Sequence, residues 1–165
     1  GNLRFKTKGK IIAQSIIKAG KGKKAIDIGC REGHQSEFLK HKNYDVTSID
    51  IEKKYEDCKI VDVNQKLPFE DNSFDLLWCS EVIEHLINPI TALNEFKRIL
   101  KPNGEIILTT PNSYFWLVKF LYLFGLTPQK LQHPGHRHFF SYEDIREMFP
   151  NSEIYGYLRI NSKLA

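Results

Sequence analysis

Apolar residues occur along this chain in short runs that alternate with longer segments of helical periodicity. The short runs are bounded by Gly, Asp or Asn, which is typical of strands. We predict strands over residues 24–28, 44–49, 58–61, 74–79, 105–110 and 154–160. The run at 74–79 is almost entirely apolar, as expected of a parallel strand that is covered on both faces.

Helices are predicted between these strands, at residues 8–19, 34–42, 89–100 and 141–149. Asn88 and Pro89 supply an N-cap and a first-turn proline, and 102–104 supplies turn residues before the next strand. Alternating strands and helices predict an α/β fold, a doubly wound, Rossmann-like three-layer sandwich around a mostly parallel sheet. We predict that residues 1–165 form a single domain.

In such a sheet, ligands bind beyond the carboxyl ends of the strands. The chemistry of this chain is therefore expected just after Ile28, Ile49, Val61 and Cys79. Polar or small residues stand at each of these places, namely Asp27 with Gly29, Asp50, Asp62 and Ser80.

Composition supports a soluble globular protein, because 41% of the 165 residues are apolar, 27% are charged and the mean hydropathy is −0.39. These values exclude a disordered chain, a collagen-like repeat and a bundle of membrane helices. Cys30, Cys58 and Cys79 lack the spacing of a zinc site, and we find no signal-peptide pattern. A reduced, cytoplasmic protein is expected.

The net charge of +4 is unevenly distributed. Residues 1–24 hold eight Lys or Arg and no acidic residue, so the rest of the chain carries 16 basic and 20 acidic side chains. We predict a basic N-terminal helix over residues 1–20 and interpret its lysines mainly as a solvated face. Contact with phosphates of RNA, lipid headgroups or a nucleotide is the alternative.

The residues at the strand ends suggest an adenosine-containing cofactor. A glycine after the first strand lets the backbone approach a ligand closely. Asp50 can accept hydrogen bonds from both hydroxyls of a ribose, and Asp62 can accept one from an adenine amino group. Neither GxGxxG nor a P-loop is present, which argues against NAD, FAD and ATP.

Several motifs in order and spacing resemble class I S-adenosylmethionine-dependent methyltransferases, of the type 11-like domain. The similarity covers roughly residues 20–150 and includes the acid-x-Gly loop at 27–33. The other matching segments are Leu67-Pro68-Phe69 with Ser73-Phe74-Asp75, the EVIEHL sequence at 81–86, Leu100 to Gly104, and His138-Phe139-Phe140-Ser141.

This resemblance implies that the chain uses S-adenosyl-L-methionine, with S-adenosyl-L-homocysteine as product. It assigns the cofactor's amino group to Asp27, the ribose to Asp50 and the adenine to Asp62. The cofactor-binding residues so predicted are Asp27, Gly29, Cys30, Arg31, Gly33, Asp50, Ile51, Asp62, Val63, Cys79 and Ser80.

The first motif departs from the family pattern at Arg31, where the family has a glycine. We expect the Arg31 side chain to point into solvent, while contact with the methionine carboxylate is the alternative. Cys30 and Cys79 are interpreted as small buried residues and not as nucleophiles. Asp75 is interpreted as a structural acid at the start of a strand.

Methyl transfer to a hydroxyl requires a proton acceptor. We predict His85 as the general base, with His136 and His138 as the next candidates, because imidazole titrates near neutral pH. Glu81, Glu84 and His85 would share a helix face, and a histidine from 133–138 folding over them would complete a divalent metal site. We favour a metal-free site, because metal-free members of the family share this helix.

The acceptor is expected to be a small molecule offering oxygen or nitrogen, with RNA or protein as alternatives, and the protein to be a monomer or homodimer. Residues 112–137 are interpreted as a lid insertion over the acceptor, and their apolar run at 115–124 is too short to span a bilayer. A core helix is the alternative for this run, with membrane-surface contact the least favoured. A non-catalytic cofactor- or RNA-binding module with the same fold is the alternative function.

Relatives in this family end their sheet with a strand hairpin. Residues 152–160 can supply one strand, but 161–165 are too few for a turn and a return strand. We predict five parallel strands without the complete hairpin, with 152–160 as a sixth strand or in the vacant antiparallel position.

Overall fold

The computed structural model of this chain describes residues 8–111 and 135–155. Its helices are α1 (Lys8–Ser15), α2 (His34–His41), α3 (Pro89–Ile99) and α4 (Tyr142–Met148), and a 3₁₀ turn lies at Ile83–His85. Its strands are β1 (Lys24–Ile28), β2 (Asp45–Asp50), β3 (Cys58–Ile60), β4 (Phe74–Ser80) and β5 (Leu100–Thr109).

The five strands form one sheet in the order β3-β2-β1-β4-β5, and every neighbouring pair is parallel. The chain order reverses between β1 and β4, which is the topological switch point of a doubly wound sheet. The predicted α/β fold and its parallel sheet are confirmed. All five carboxyl ends therefore lie on one edge, which we call the carboxyl edge.

Buried side chains form two clusters, as expected when helices cover both faces of a sheet. One cluster joins strand residues such as Ile26 and Leu77 to α3 through Leu93 and Phe96. The other joins Ala13 of α1 and Leu39 of α2 to different strand residues, including Leu76 and Trp78. Leu76 and Leu77 belong to different clusters because successive side chains of a strand point to opposite faces.

Helix ends carry the caps that the sequence indicated. Asn88 accepts a hydrogen bond from the backbone N–H of Thr91, and Pro89 opens α3. Ser141 and Asp144 form a reciprocal capping box at the start of α4. These local interactions explain why both helices begin where predicted.

Two structural acids hold the sheet and the segment before β4 in place. Asp75 accepts hydrogen bonds from the backbone N–H of Lys24 and from Lys101 Nζ, each at 2.8 Å, so its predicted structural role is confirmed. Glu95 accepts the backbone N–H of Leu67 at 2.9 Å and pairs with Arg98, which also binds the carbonyl of Phe69.

Two predicted boundaries and one predicted helix were wrong. The N-terminal helix ends at Ser15 instead of continuing to residue 20, because the chain turns at Ile17, and Gly20 donates a hydrogen bond to the Lys42 carbonyl on its way into β1. Strand β5 begins at Leu100 instead of 105, since residues 101–104 form a bulge opposite β4 instead of a separate turn. The EVIEHL segment contains only a 3₁₀ turn.

The C-terminal predictions are tested only in part. Residues 152–155 belong to no strand, and 156–160 lie outside the described residues. Most of the predicted lid, residues 112–134, also lies outside them. Within 8–111 and 135–155, no helix is long and apolar enough to cross a bilayer.

Candidate functional site

The loop after β1 is shaped by two glycines with left-handed backbone angles. Gly29 has φ +75°, and a Cβ there would lie 2.5 Å from Val82 Cγ2. Gly33 has φ +78°, and a Cβ there would clash with the ring of Tyr55. Both positions therefore exclude a side chain on conformational and steric grounds. The two glycines therefore let Val82 and Tyr55 pack closely against the loop after β1.

Asp50 connects this loop to the end of β2. Its two carboxylate oxygens accept the backbone N–H groups of Arg31, at 2.9 Å, and of Glu52, at 3.2 Å. A carboxylate offers about four acceptor sites, so about two remain for hydroxyl donors. The geometry fits the predicted binding of a ribose.

Asp27 lies at the end of β1 and is only 1% exposed. Its carboxylate accepts the Ser36 hydroxyl at 2.6 Å, and the Ser36 hydroxyl accepts that of Ser48 at 2.7 Å. Burial raises the pKa of Asp27 from 3.8 to about 6, against the opposing effect of the Ser36 hydrogen bond. Keeping the Asp27 carboxylate ionised in this buried position therefore costs free energy of folding. Buried carboxylates with shifted pKa values are typical of functional sites.

This raised pKa gives a testable stability difference. A carboxyl group with a raised pKa stabilises the fold when protonated, so that contribution is lost as pH rises from about 4 through the folded-state pKa of about 6. Asp27→Asn abolishes the titration. We expect wild type to lose up to about 3 kcal/mol relative to the variant between pH 4 and 7, from about 1.4 kcal/mol per pKa unit. Urea unfolding at several pH values measures this difference, and a pH-independent difference would contradict the assignment.

After β3, Asp62 organises a connection toward the 3₁₀ turn. Its Oδ1 accepts both the backbone and the side-chain N–H of Asn64 at 2.9 Å, and Asn64 Oδ1 accepts the backbone N–H of Ile87 at 2.7 Å. Val63 is half-buried beside the core, whereas Ile51 after β2 is 64% exposed. An exposed isoleucine beside Asp50 offers an apolar surface at the carboxyl edge.

The end of β4 brings Ser80 and Glu81 against β5. The hydroxyls of Ser80 and Thr109 lie 2.7 Å apart, and the Glu81 backbone N–H donates to the Thr109 carbonyl at 2.8 Å. Glu81 has φ +58°, an unusual backbone angle for a residue with a side chain. Strain of this kind is concentrated at functional sites.

Glu84 lies inside the 3₁₀ turn and is 1% exposed. Its Oε2 accepts the Thr110 hydroxyl at 3.2 Å, whereas Oε1 has no hydrogen-bond partner among the described residues. Burial raises the pKa of Glu84 to about 8. A buried carboxyl oxygen without a partner is costly, and such groups are frequent where a ligand completes the site.

His85 and His136 meet beside Glu84, their ring centroids 4.7 Å apart. The backbone N–H groups of Arg137 and His138 donate to the Glu84 carbonyl at 2.7 and 3.0 Å, so the segment after 134 folds back over the turn as predicted. His85 Nδ1 lies 2.9 Å from the Gly135 carbonyl. A carbonyl only accepts, so Nδ1 carries the proton and Nε2 of a neutral ring is the basic atom.

His138, the third predicted base, has a different environment. Its Nε2 lies 3.4 Å from the Ile87 carbonyl, and its ring stacks on Phe140 at a centroid distance of 6.0 Å. The structure thus brings His85 and His136 together and places His138 against Ile87 and Phe140 instead. His133 lies outside the described residues.

Glu84, His85 and His136 each place one ligand atom within 4.8 Å of the others. Imidazole nitrogen and carboxylate oxygen suit a divalent transition metal or zinc. Glu81, which the helical interpretation grouped with them, instead accepts a hydrogen bond from the Thr109 hydroxyl at 3.3 Å. The ligand atoms of Glu84, His85 and His136 fit a metal ion. The α-helical face that was expected to carry Glu81 with Glu84 and His85 is not formed, because these residues lie at a 3₁₀ turn.

Arg31 and the cysteines have the environments that the sequence favoured. The Arg31 side chain is 55% exposed and lies 4.0 Å from Glu32, so it points away from the loop interior. Cys30 and Cys79 are buried, and burial raises the pKa of both thiols. Neither cysteine is an activated thiolate.

Sequence reasoning missed three contributors to the site. Ser36 and Ser48 reach Asp27 from α2 and β2, and Tyr55 closes over Gly33. A role for the two serines could have been predicted, because each lies at a core-facing position of an amphipathic helix or strand. Tyr55 carries no such periodic signal, because it lies in a loop.

Comparison with known proteins agrees with this geometry. A family model described as a methyltransferase domain matches residues 5–153. The ubiquinone biosynthesis O-methyltransferase of Dechloromonas aromatica is 30% identical over 128 residues, covering 65% of this chain and 53% of that protein. The chain thus spans about half the length of that relative.

Solved structures share the fold at low sequence identity. A methyltransferase of Thermotoga maritima, described as S-adenosylmethionine-dependent and possibly a histamine N-methyltransferase, superposes with TM-score 0.65 at 20% identity, covering 89% of this chain and 70% of that one. A methyltransferase of Haloferax volcanii, solved with the activator Trm112, has TM-score 0.65 at 19% identity and covers 86% and 66%.

Proposed function

The chain belongs to the methyltransferase domain family, and from that premise we propose that it transfers a methyl group from S-adenosylmethionine to an oxygen or nitrogen of an acceptor. The observation that carries the proposal is the carboxyl edge itself. There the glycine loop, Asp27 and Asp50 lie at the ends of β1 and β2, and the 3₁₀ turn after β4 brings together Glu84, His85 and His136, of which Glu84 alone is buried. The glycine loop with Asp27 and Asp50 suits the nucleoside and amino-acid parts of the cofactor. Glu84, His85 and His136 suit an acceptor.

On this proposal the loop residues hold the cofactor. Asp27 takes the amino group, Asp50 the ribose hydroxyls and Asp62 the adenine amino group, with Ile51 and Val63 beside the base. Gly29 to Gly33, including the backbones of Cys30 and Arg31, form the cradle, and Cys79 and Ser80 close the site from β4. When bound, the cofactor supplies an already activated methyl group on its sulfonium sulfur.

The histidines then serve the acceptor. With a hydroxyl acceptor, His85 Nε2 would take the hydroxyl proton while the acceptor oxygen takes the methyl group from the cofactor's sulfur, which would leave S-adenosylhomocysteine. His136 packs edge-on against His85 and restricts its ring orientation. Alignment of acceptor and donor is the main task of such a site, because the methyl group needs no further activation.

A small-molecule hydroxyl is the acceptor class we favour. The Dechloromonas relative is named an O-methyltransferase, and a base is required for oxygen but not for an amine that is already neutral. His85 with its Nδ1–H engaged provides that base.

Isotope transfer tests this function. The protein is first titrated calorimetrically with S-adenosylmethionine and then incubated with methyl-labelled cofactor and separate small-molecule, RNA and protein fractions of a cell extract. We expect label in the small-molecule fraction and none with the Asp50→Ala variant. Cofactor binding without label in any fraction would favour the non-catalytic module, and no cofactor binding would contradict both.

A metal-assisted version of the same reaction is the second candidate. The clustered ligand atoms of Glu84, His85 and His136 and the unpartnered Glu84 oxygen favour it. In this version the three side chains would hold a divalent cation, which would orient the acceptor oxygen and lower the pKa of its hydroxyl.

We expect wild-type protein stripped with EDTA to bind Zn²⁺ or Mn²⁺ in calorimetry. His136→Ala should bind the metal at least about 10- to 100-fold more weakly, since even the loss of a residue that only supports a ligand costs that much. His41→Ala, which removes an exposed histidine of α2, is the matched control and should bind metal as wild type does. Equal metal affinity of His136→Ala and wild type would eliminate this version without affecting the metal-free mechanism.

A further inference from the structure

Tyr55 lies in the loop between β2 and β3 and packs against the glycine loop, residues 29–33. Its ring occupies the space that a side chain at Gly33 would fill. Gly33 closes a tight turn, because its backbone N–H donates to the Cys30 carbonyl at 2.8 Å and its carbonyl accepts the Glu37 backbone N–H at 2.9 Å. The glycine loop therefore ends on a stretch of backbone that one aromatic ring covers.

The hydroxyl of Tyr55 is held in a cluster of charged side chains. It donates to the Glu37 carboxylate, and it accepts a hydrogen bond from Lys40 Nζ at 2.7 Å. Lys40 also pairs with Glu37 at 3.1 Å and with Asp57 at 2.5 Å. Glu37 and Lys40 belong to α2, whereas Asp57 belongs to the same loop as Tyr55. The cluster therefore joins the loop after β2 to the helix that follows the glycine loop.

Two contacts from the chain after β1 thus fix the glycine loop. Asp50 accepts the backbone N–H of Arg31 at 2.9 Å in the middle of the loop, and Tyr55 covers the end of the loop at Gly33. A loop that already has its binding conformation loses less conformational entropy when a ligand binds. The packing of Tyr55 is therefore expected to affect the affinity for a ligand that the loop holds.

A second contact between a tyrosine and a glycine supplies the comparison. Tyr44 packs on Gly20 as Tyr55 packs on Gly33. Gly20 precedes β1 and Tyr44 precedes β2, so this contact lies at the amino ends of the strands, away from the carboxyl edge. Tyr44 is buried, whereas Tyr55 is half-buried. Loss of the Tyr44 ring should therefore lower the stability of the fold at least as much, without disturbing the glycine loop.

We propose that Tyr55 is a positioning residue of the cofactor site, which holds the glycine loop in the conformation that binds S-adenosylmethionine. This proposal rests on the proposed function. The ring contact carries most of the effect, because exposed ion pairs such as those of Lys40 contribute little individually. The charged cluster orients the ring over Gly33.

The test compares the cofactor affinities of three variants by calorimetry, at a temperature where all of them are folded. We expect Tyr55→Ala to weaken S-adenosylmethionine binding about tenfold, or about 1.4 kcal/mol, because the loop must then become ordered on binding. Tyr55→Phe keeps the ring and should restore the affinity to within about threefold of wild type. Tyr44→Ala is the matched control, and its affinity should stay within about twofold although urea unfolding shows a loss of stability.

Hydrogen exchange measures the glycine loop itself. In the cofactor-free protein, the backbone amides of residues 30–33 should exchange faster, relative to those of β1, in Tyr55→Ala than in wild type. Tyr44→Ala should leave this ratio unchanged. A general loss of stability would change the exchange of β1 as well, so the ratio separates local positioning from overall structural support.

Other results overturn the positioning role or the function separately. An affinity of Tyr55→Ala within about twofold of wild type, or an equal loss in Tyr44→Ala, would overturn the role of Tyr55 and leave the proposed function standing. An equal loss in Tyr55→Phe and Tyr55→Ala would overturn the role of the ring. Wild type that binds no S-adenosylmethionine would contradict the proposed function itself. If Tyr55→Ala does not fold, Tyr55→Leu makes the same comparison with the same expected loss.

Discussion

Replacing His85 with asparagine is expected to lower methyl transfer to a hydroxyl acceptor by about 10²- to 10⁴-fold, the usual contribution of a positioned general base. Asparagine can place an amide N–H where His85 Nδ1 donates to the Gly135 carbonyl, so the turn remains anchored. It lacks the basic nitrogen at the Nε2 position. Cofactor affinity should stay within about twofold, because the cofactor contacts lie in the glycine loop and at Asp50. Single-turnover rates with labelled cofactor measure this effect.

The neighbouring histidines provide the comparison for this result. His138→Ala removes a ring that contacts Ile87 and Phe140, and we expect it to reduce the rate far less. If His136→Ala lowers the rate as much as His85→Asn, and EDTA lowers the wild-type rate equally, His85 acts as a metal ligand and not as the base. A wild-type rate in His85→Asn with a hydroxyl acceptor would contradict both roles.

Asp50→Ala is expected to weaken S-adenosylmethionine binding by about 10²- to 10⁴-fold. The variant loses two hydrogen bonds from ribose hydroxyls to a charged acceptor, each contributing about 1.5–3 kcal/mol. It also frees the backbone N–H groups of Arg31 and Glu52, so the loop conformation is less well defined before binding. Calorimetry at a temperature where the variant is folded measures the affinity.

Asp45→Ala is the matched control for Asp50→Ala. Asp45 is the first residue of β2 and Asp50 is the last. The control therefore removes an equal charge at the opposite end of the same strand. We expect its cofactor affinity to equal that of wild type. Asp50→Ala binding within about threefold of wild type would refute the assignment of the ribose to this residue.

Much of the carboxyl edge could be predicted from the sequence because its parts are local. Each strand was recognisable from a short apolar run, and in a parallel sheet every strand delivers its last residues to the same edge. Asp27, Gly29 and Asp50 were therefore placed together without knowledge of any long-range contact. The caps of α3 and α4 were predictable for the same reason, since the interacting groups lie within three residues of each other.

Boundaries were less predictable where distant contacts override periodicity. The apolar residues at 16 and 17 continue the helical pattern of α1, yet the chain leaves the helix because Ile17 packs in the core and Gly20 bonds to Lys42. The bulge before residue 105 likewise depends on alignment with β4. Local propensity is weak compared with such packing and backbone hydrogen bonding.

By itself, the sequence determined the α/β architecture, the parallel strand ends and the glycine loop, because these follow from local periodicity and from the conformational freedom of glycine. Only the tertiary structure decided which side chains complete the site. His85 meets His136 through a contact to Gly135, 50 positions away in sequence, and α1 docks on α2 through the hydrogen bond from Gln14 to Gln35. The same packing buries Glu84 and bends the backbone at Glu81 into a positive φ. Side chains become buried, charges come close together and the backbone becomes strained when distant segments pack. The spacing of residues along the chain therefore does not predict these properties directly.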